Sequence, residues 1–157
     1  MQIIEVVAGN RHVYANLCQG YEAEFSSITG KKPDAAGLFA LDTVLGGQIK
    51  GFLFYEAESP IGFTAVKLAQ SGNEVCEFYV VPSMRGHCLG RRFAHEVFRM
   101  FPGPWEVKQL QGARLATCFW QRAIREFTGG KFEEDVFDDR YWGRVVRQCF
   151  VSQDCSE

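Results

Sequence analysis

The sequence predicts one domain with a mixed α/β fold, in which helices flank a mostly antiparallel sheet that contains one parallel strand pair. Apolar segments follow one another in the order strand, helix, loop, three strands, helix, strand, helix and two strands. Hydrophobic residues make up 46% of the 157 residues and 14 are Phe, which supports a buried core and argues against disorder. One helical crossover between strands predicts the parallel pair.

The N-terminal segments predict a strand at 3–7 and then a helix whose N-terminus Asn10 can cap. An apolar stripe with four-residue spacing marks the helix: Val13, Leu17, Tyr21 and Phe25. Glu22 and Glu24 lie off this stripe. Residues 29–37 read as a loop. Residues 38–44 leave an irregular segment and a short helix both open, because glycines interrupt any period.

The remaining elements follow from alternation, helical spacing and turn residues. We predict strands at 49–57, 61–68, 75–81, 105–110, 132–137 and 145–151, and helices at 89–100 and 114–127, with a polar tail from 152. The second of these helices carries Leu115, Phe119, Ala123 and Phe127, which we expect on its buried face.

The composition limits the classes of function that this protein can have. A net charge of −2 gives no general attraction to nucleic acid or to anionic membranes. There is no CxxC pair, no metal-ligand spacing and no leader segment, so we expect no metal and a cytoplasmic protein with reduced cysteines. Most of the six cysteines, Cys118 included, lie in apolar segments and are expected to be buried.

A basic glycine loop joins the strand at 75–81 to the helix at 89–100. Such a junction directs free backbone N–H groups and the positive end of a helix dipole at one point, which suits a phosphate. Gly86 and Gly90 allow close approach to the backbone. Charged side chains surround the same point: Arg85, His87, Arg91 and Arg92.

The segment Val80-Val81-Pro82, followed by Arg85-Gly86-His87-Cys88-Leu89-Gly90-Arg91, resembles the coenzyme-binding signature of the GCN5-related N-acetyltransferases. The resemblance covers nearly the whole chain and implies the acetyltransferase fold, with two splayed strands and acetyl-coenzyme A as cosubstrate. It further implies that the pyrophosphate binds at 85–91 and that the pantetheine arm pairs with Val80 and Val81. Cys88 stands where the family has its first motif glycine.

The resemblance also implies the catalytic groups. A bulge near Tyr79 or Val80 frees a backbone N–H for the thioester oxygen. Glu77, on the same strand, is the candidate general base, although a half-exposed surface carboxylate is an equal alternative; Glu74 is a weaker second. Alternation places Glu77 and Tyr79 on one face of the strand, and Phe78 and Val80 on the other.

The family's helix Tyr, a general acid, is missing, since Phe119-Trp120 occupies its place. A pantetheine-binding Asn is also missing, at about Ala113. Tyr141 or a water could protonate the thiolate instead. Trp120 and Trp142 read as core, with an acceptor pocket as the alternative.

Together these features predict an acetyltransferase that acts on a primary amine of a small molecule or peptide by direct attack. An acidic wall of Glu22, Glu24 and Asp42 could attract a cationic acceptor, or could simply be solvated. The alternative function is a non-catalytic sensor that binds acyl-coenzyme A. A homodimer through an exposed last strand is a further possibility.

Overall fold

A computed structural model describes residues 1–153. Alternating apolar residues form the strands and helical spacing forms the helices, as the sequence predicts. The elements are β1 (Gln2–Glu5), α1 (Arg11–Thr29), β2 (Ile49–Glu56), β3 (Ser59–Ala69), β4 (Gly72–Val80), α2 (Leu89–Met100), β5 (Gly103–Leu110), α3 (Arg114–Thr128), β6 (Glu133–Asp139) and β7 (Gly143–Ser152), with a 3₁₀ turn at Pro82–Met84.

The strands form one sheet in the order β1-β2-β3-β4-β5-β7-β6. All neighbours are antiparallel except β4 and β5, which are parallel, as the helical crossover through α2 requires. The parallel pairing spans only Asn73–Val75 of β4, opposite Trp105–Val107 of β5. Beyond these residues the two strands separate, which confirms the predicted mixed sheet with a splayed pair.

The expectation of an exposed last strand is wrong. β7 lies between β5 and β6, and β6 is the edge of the sheet. The free edge also carries five acidic residues in its seven-residue sequence EEDVFDD, so two copies of β6 would repel each other if they paired.

Two apolar clusters form the core, one on each face of the sheet. One joins β2–β5 and β7 to α2 and α3, and includes Phe93, Phe98 and Trp105. The other joins α1 to β2–β4 through Tyr14, Leu53 and other residues. Residues of β4 alternate between the two clusters, so the predicted facing of this strand is correct.

Several local predictions need correction. Asn10 makes no side-chain cap of α1. Its amide oxygen instead accepts a hydrogen bond from the Val7 N–H and its amide nitrogen donates to the Glu5 carbonyl, which closes the turn before the helix and ends β1 at Glu5. Residues 38–44 form neither a helix nor a strand. Ser152 is no frayed tail: it ends β7, and its buried hydroxyl donates to the Phe98 carbonyl at 2.7 Å. The remainder of the predicted tail lies outside the described residues.

The buried face of α3 matches the prediction at Ala123, and Phe119 and Phe127 pack partly buried against the core, but the face does not include Leu115. Leu115 is 89% exposed, whereas Trp120, Ala123 and Ile124 are buried. Cys118 is exposed, so the prediction of a buried thiol there is wrong. Phe119 and Trp120 both pack against the Phe78 ring of β4, with ring centroids 5.5 and 5.0 Å apart, so these adjacent aromatic residues share the contact with the sheet.

Within residues 1–153 no helix is both long and apolar enough to cross a membrane. The cysteines at 18, 76, 88, 118 and 149 are all free.

Candidate active site

A cleft of about 120 Å³ opens where β4 and β5 separate. Its floor is formed by residues 74–78 of β4 and 107–110 of β5. One wall comes from α1 and the loop after it, through Tyr21, Glu22 and Asp42; α3 supplies Trp120 and the β6–β7 turn supplies Trp142. Because these elements lie tens of residues apart in the sequence, the cleft exists only in the folded protein.

Glu77 lines this cleft and is buried, with 6% of the residue exposed. Burial raises the pKa of its carboxyl to about 7. A hydrogen bond from Thr43 lowers the pKa, whereas repulsion by Glu22 and Asp42 raises it. A hydrogen bond from Tyr14 also lowers it. The alternative interpretation of Glu77, a half-exposed carboxylate on the surface, is therefore wrong. A carboxylate whose pKa lies near neutrality can accept a proton from a neighbouring group and release it again.

The β-bulge of β4 is at Cys76, rather than near Tyr79 or Val80 as the resemblance implied. Ala65 of β3 pairs with Glu77 and Val66 pairs with Val75, so Cys76 is the extra residue. Burial raises the pKa of the Cys76 thiol to about 12, and Glu74 and Glu77 add to the effect. This thiol stays protonated near neutral pH.

Backbone groups of β4 face the cleft at alternate residues. The Val81 N–H donates to the Ile61 carbonyl of β3 at 2.8 Å, so Val81 directs its N–H away from β5. Alternation then turns the N–H of Tyr79 towards β3 as well, and those of Phe78 and Val80 towards the separation. The Val80 carbonyl already accepts a hydrogen bond from Arg85 Nε at 2.8 Å. Of the two candidate backbone donors, Tyr79 and Val80, the Val80 N–H is the one directed towards the space between β4 and β5, two residues beyond the last β4 residue that lines the cleft.

The acidic wall is only partly as predicted. Glu22 is 2% exposed, because it follows Tyr14 and Cys18 along the most buried line of α1. Its Oε2 lies 2.7 Å from Lys31 Nζ, and the same ammonium lies 2.7 Å from Asp42 Oδ2. Of the two alternatives for Glu22, an acidic wall or a solvated charge, the solvated one is therefore excluded.

A second lysine closes the base of the cleft. Lys108 Nζ lies 2.9 Å from Glu74 and 3.0 Å from Asp139. Glu74, the weaker candidate for the base, is thus held in an ion pair.

The glycine loop presents a run of backbone donors. Among the described residues, the N–H groups from Gly86 to Arg91 have no acceptor in the chain; the first one that is satisfied belongs to Arg92, which donates to the Cys88 carbonyl. Gly86 has φ +86°, and no atom lies within 4 Å of where a Cβ would be. This arrangement fits a phosphate group bound by backbone N–H groups and the N-terminus of α2.

The side chains of this loop differ from the prediction. Both Nη atoms of Arg85 donate to the Glu24 carboxylate at 2.8 Å. Arg91 donates to Glu126 and, at 2.7 Å, to Cys88 Sγ. Both guanidinium groups are thus paired within the chain. His87 and Arg92 are exposed and face solvent.

Two further loop residues have backbone or packing roles. Cys88 has φ +61° and is the N-cap of α2, so a non-glycine residue adopts the left-handed conformation there. A Cβ on Gly90 would lie 3.2 Å from the Phe119 ring, so this glycine serves the packing of α2 against α3. Leu89, next to it, is buried in the core.

Tyr141 is 85% exposed and lies outside the cleft, in a shallow groove that shares Thr29, Leu110 and Trp142 with it. Its role as an acid remains a prediction. Trp120 lies in the hydrophobic core, as predicted, and also borders the cleft, whereas Trp142 is 47% exposed and lines the cleft from the β6–β7 turn. Ala113 is buried at the N-cap of α3.

Sequence reasoning missed Tyr14, Thr43, Lys31 and Lys108. Tyr14 donates a hydrogen bond to Glu77 Oε2 at 3.4 Å. A lysine in a glycine- and proline-rich loop and a lysine on a strand carry no local signal that distinguishes them from surface residues. Only the position of Tyr14 on the apolar stripe could have indicated that it is buried.

The fold and the cleft define the architecture of the N-acetyltransferases. No protein-family model matches the chain, and no curated protein matches it in sequence. Solved structures match it over nearly their whole length. The ribosomal-protein-S18-alanine N-acetyltransferase of Escherichia coli superposes with a TM-score of 0.63 at 10% identity, covering 99% of this chain and 96% of that one.

Two other structures agree. The aminoglycoside 6′-N-acetyltransferase of Enterococcus faecium has a TM-score of 0.63 at 11% identity and full coverage of both chains (100% and 100%). The PaiA N-acetyltransferase of Thermoplasma acidophilum, solved in complex with coenzyme A, has a TM-score of 0.63 at 9% identity and covers 93% of this chain and 96% of its own. At these identities the similarity establishes the fold, and it confirms the predicted acetyltransferase fold.

Proposed function

We propose that the protein transfers acetyl from acetyl-coenzyme A to a primary amine of a small molecule or peptide by direct attack. The observation that carries the proposal is the position of Glu77, a buried carboxyl with a pKa raised to about 7 by burial, in a cleft between two separated parallel strands. The glycine loop and the structural neighbours add support. A cytoplasmic location belongs to the same proposal.

The chain would hold the coenzyme at two places. The free N–H groups from Gly86 to Arg91 would bind the pyrophosphate, and the Val80 N–H would bind the thioester oxygen or the pantetheine arm. The thioester supplies an activated acetyl group. Arg85 and Arg91 would contribute charge only after exchanging Glu24 and Glu126 for the phosphates.

Glu77 would act on the acceptor. An alkylammonium has a pKa near ~10, so it must lose a proton before it can attack a carbonyl carbon. The Glu77 carboxylate would accept this proton, directly or through one water. Burial in the cleft strengthens this role, because a desolvated carboxylate is a stronger base than an exposed one.

Protonation of the departing thiolate is assigned to water or to Tyr141. The exposed position of Tyr141 favours water, since the phenol lies outside the cleft. A thiol has a pKa near ~8.5, so its thiolate leaves without strong assistance.

Thermal unfolding with acetyl-coenzyme A, and with ATP as the control, tests the pocket. A ligand present at about a hundredfold its Kd adds about 2.7 kcal/mol, a Tm shift of roughly 5–11 °C at this size. Release of free thiol in the presence of amines then tests transfer. A Tm shift with acetyl-coenzyme A alone and amine-dependent thiol release support the proposal; no shift with either ligand contradicts it.

A non-catalytic acyl-coenzyme A sensor is the second candidate. The missing helix acid favours it, because Phe119-Trp120 occupies the place of the family's Tyr and Tyr141 lies outside the cleft. Coenzyme binding without turnover of any amine by the wild type would select the sensor.

A further inference from the structure

The buried carboxylate of Glu22 has one oxygen atom with no partner. Oε2 binds Lys31, but Oε1 is buried and accepts no hydrogen bond from any described residue. The residue is 2% exposed and lines the same cleft as Glu77. A buried carboxylate oxygen is normally satisfied by a donor, so this atom indicates a position for a ligand N–H group.

The surroundings of this oxygen select a cation. Asp42 and Glu22 share the single ammonium of Lys31, which leaves the group with a net negative charge. Glu74 and Glu77 line the cleft as well. Lys108 is the basic residue of the described lining, and it is bound to Glu74 and Asp139.

Lys31 itself demonstrates the chemistry of the site. Its ammonium lies 2.7 Å from both carboxylates and 3.0 Å from the Ala40 carbonyl, which it also binds. A primary ammonium is thus the group that this end of the cleft already accommodates. The free Oε1 of Glu22 offers a place for a second one.

We propose that the acceptor carries two amino groups, one that is acetylated beside Glu77 and a second that binds as an ammonium to Glu22 Oε1. The inference rests on the proposed function and names the substrate class of the same cleft. Asp42 adds negative charge at the mouth. Acceptors of this class are linear diamines and larger polyamino compounds.

The second ammonium also serves the reaction. Repulsion by Glu22 and Asp42 helps to keep Glu77 protonated. A cation bound at Glu22 compensates these charges, so it favours the ionised Glu77 that can accept a proton. Binding of the distal amino group therefore prepares the base for the reacting one.

The test compares linear diamines of three to six carbons with monoamines of equal chain length, at saturating acetyl-coenzyme A. We expect at least one diamine to exceed its monoamine by about tenfold or more in kcat/KM. The Glu22→Gln variant keeps the shape and removes the charge, and should bring this ratio to about one by raising KM for the diamine. Glu58→Gln, which removes the same charge from an exposed turn residue, should keep the wild-type ratio.

Asp42→Asn gives an independent readout if Glu22→Gln fails to fold, because Asp42 is 37% exposed and its substitution should lower the same ratio in part. Equal use of diamines and monoamines by the wild type, or a ratio that both variants leave intact, overturns the inference while the proposed function stands. If no amine is acetylated, the proposed function fails, and the acetylated end of the inference fails with it. Calorimetry then tests the Glu22 site alone: diamine binding that Glu22→Gln abolishes supports an ammonium site there, and no diamine binding overturns it.

Discussion

The phenol oxygen of Tyr14 lies 3.4 Å from Oε2 of Glu77, which connects the first helix to the central strand across 63 positions of sequence. Both groups are buried. The candidate base is therefore contacted by the same helix that holds Arg85 of the coenzyme loop through Glu24. In the proposed reaction, this contact would connect the acceptor-binding wall of α1 to the base on β4.

The Glu77→Gln variant tests the base through the pH dependence of kcat/KM. Because the pKa of Glu77 is raised to about 7, we expect wild-type activity to rise with pH through about 7 as the carboxyl ionises. The variant should lose ~10²-fold or more in kcat/KM and should lose this limb of the profile. Unchanged protection by acetyl-coenzyme A in thermal unfolding is the control. If kcat/KM of the variant still rises with pH through about 7, Glu77 is not the general base.

The same substitution has a consequence for stability. The folded-state pKa of Glu77 is raised, so its contribution to the free energy of unfolding is full below about pH 4.5 and is lost as the pH rises through about 7. We expect Glu77→Gln to gain about 3 kcal/mol relative to the wild type between pH 4.5 and pH 8. Urea unfolding of both proteins at the two pH values measures this difference. A constant difference would contradict the raised pKa.

Substitution of Lys31 tests the charge arrangement under Glu22. Lys31→Met leaves a buried carboxylate without its cation, and we expect a loss of about 3 kcal/mol in the free energy of unfolding at pH 8. Lys32→Met is the matched control: the neighbouring residue is exposed, so its substitution should change stability by less than about 0.5 kcal/mol. Equal effects of the two variants would exclude the ion pair as a stabilising contact.

The pairing of Arg85 with Glu24 predicts opposite effects on coenzyme affinity. Glu24→Gln releases a guanidinium beside the loop, so the Kd for acetyl-coenzyme A should fall severalfold, whereas Arg85→Gln should raise it. Stability should change by no more than about 1 kcal/mol, because the side chains are 43% and 48% exposed. Isothermal titration measures both. If neither variant alters the affinity, Arg85 only holds the loop through the Val80 carbonyl.

Cys88→Gly tests whether the departure from the family's motif weakens binding. Glycine tolerates φ +61° and removes the side chain from the coenzyme loop, so we expect tighter binding of acetyl-coenzyme A together with relief of roughly 1 kcal/mol of backbone strain. Ala57→Gly is the control, since Ala57 has φ +51° in the turn between β2 and β3. It should relieve comparable strain without changing affinity. Equal affinities for Cys88→Gly and the wild type would show that the thiol does not crowd the ligand.

Much of the fold follows from local pattern. The alternation in 75–81, the break at Pro82 and the glycines after it predict the strand, loop and helix that the structure contains. Glu77 on the α1 face of β4 also follows, because side chains alternate along a strand. Coarse periodicity could not choose between adjacent residues, which is why Leu115 was assigned to the core although it is exposed.

The parts of the site that escaped prediction depend on long-range contacts. Lys31 reaches Glu22 and Asp42 across a loop, and Arg85 reaches Glu24 across 61 positions. The position of the bulge at Cys76 depends on how β3 aligns with β4. None of these features can be recognised from neighbouring residues, because a charged residue occurs in similar local sequences whether its side chain is solvated or paired.

The sequence by itself determined the order of the elements, the parallel crossover and the donor-rich loop before α2, since each follows from local periodicity, turn residues and the hand of the crossover. Only the tertiary structure decided that Glu22 is buried with a free oxygen, that Glu77 has a pKa near 7 and that Arg85 is already paired. The physical reason is that burial and electrostatic partners are properties of the packed chain, in which residues distant in sequence exclude water from one another.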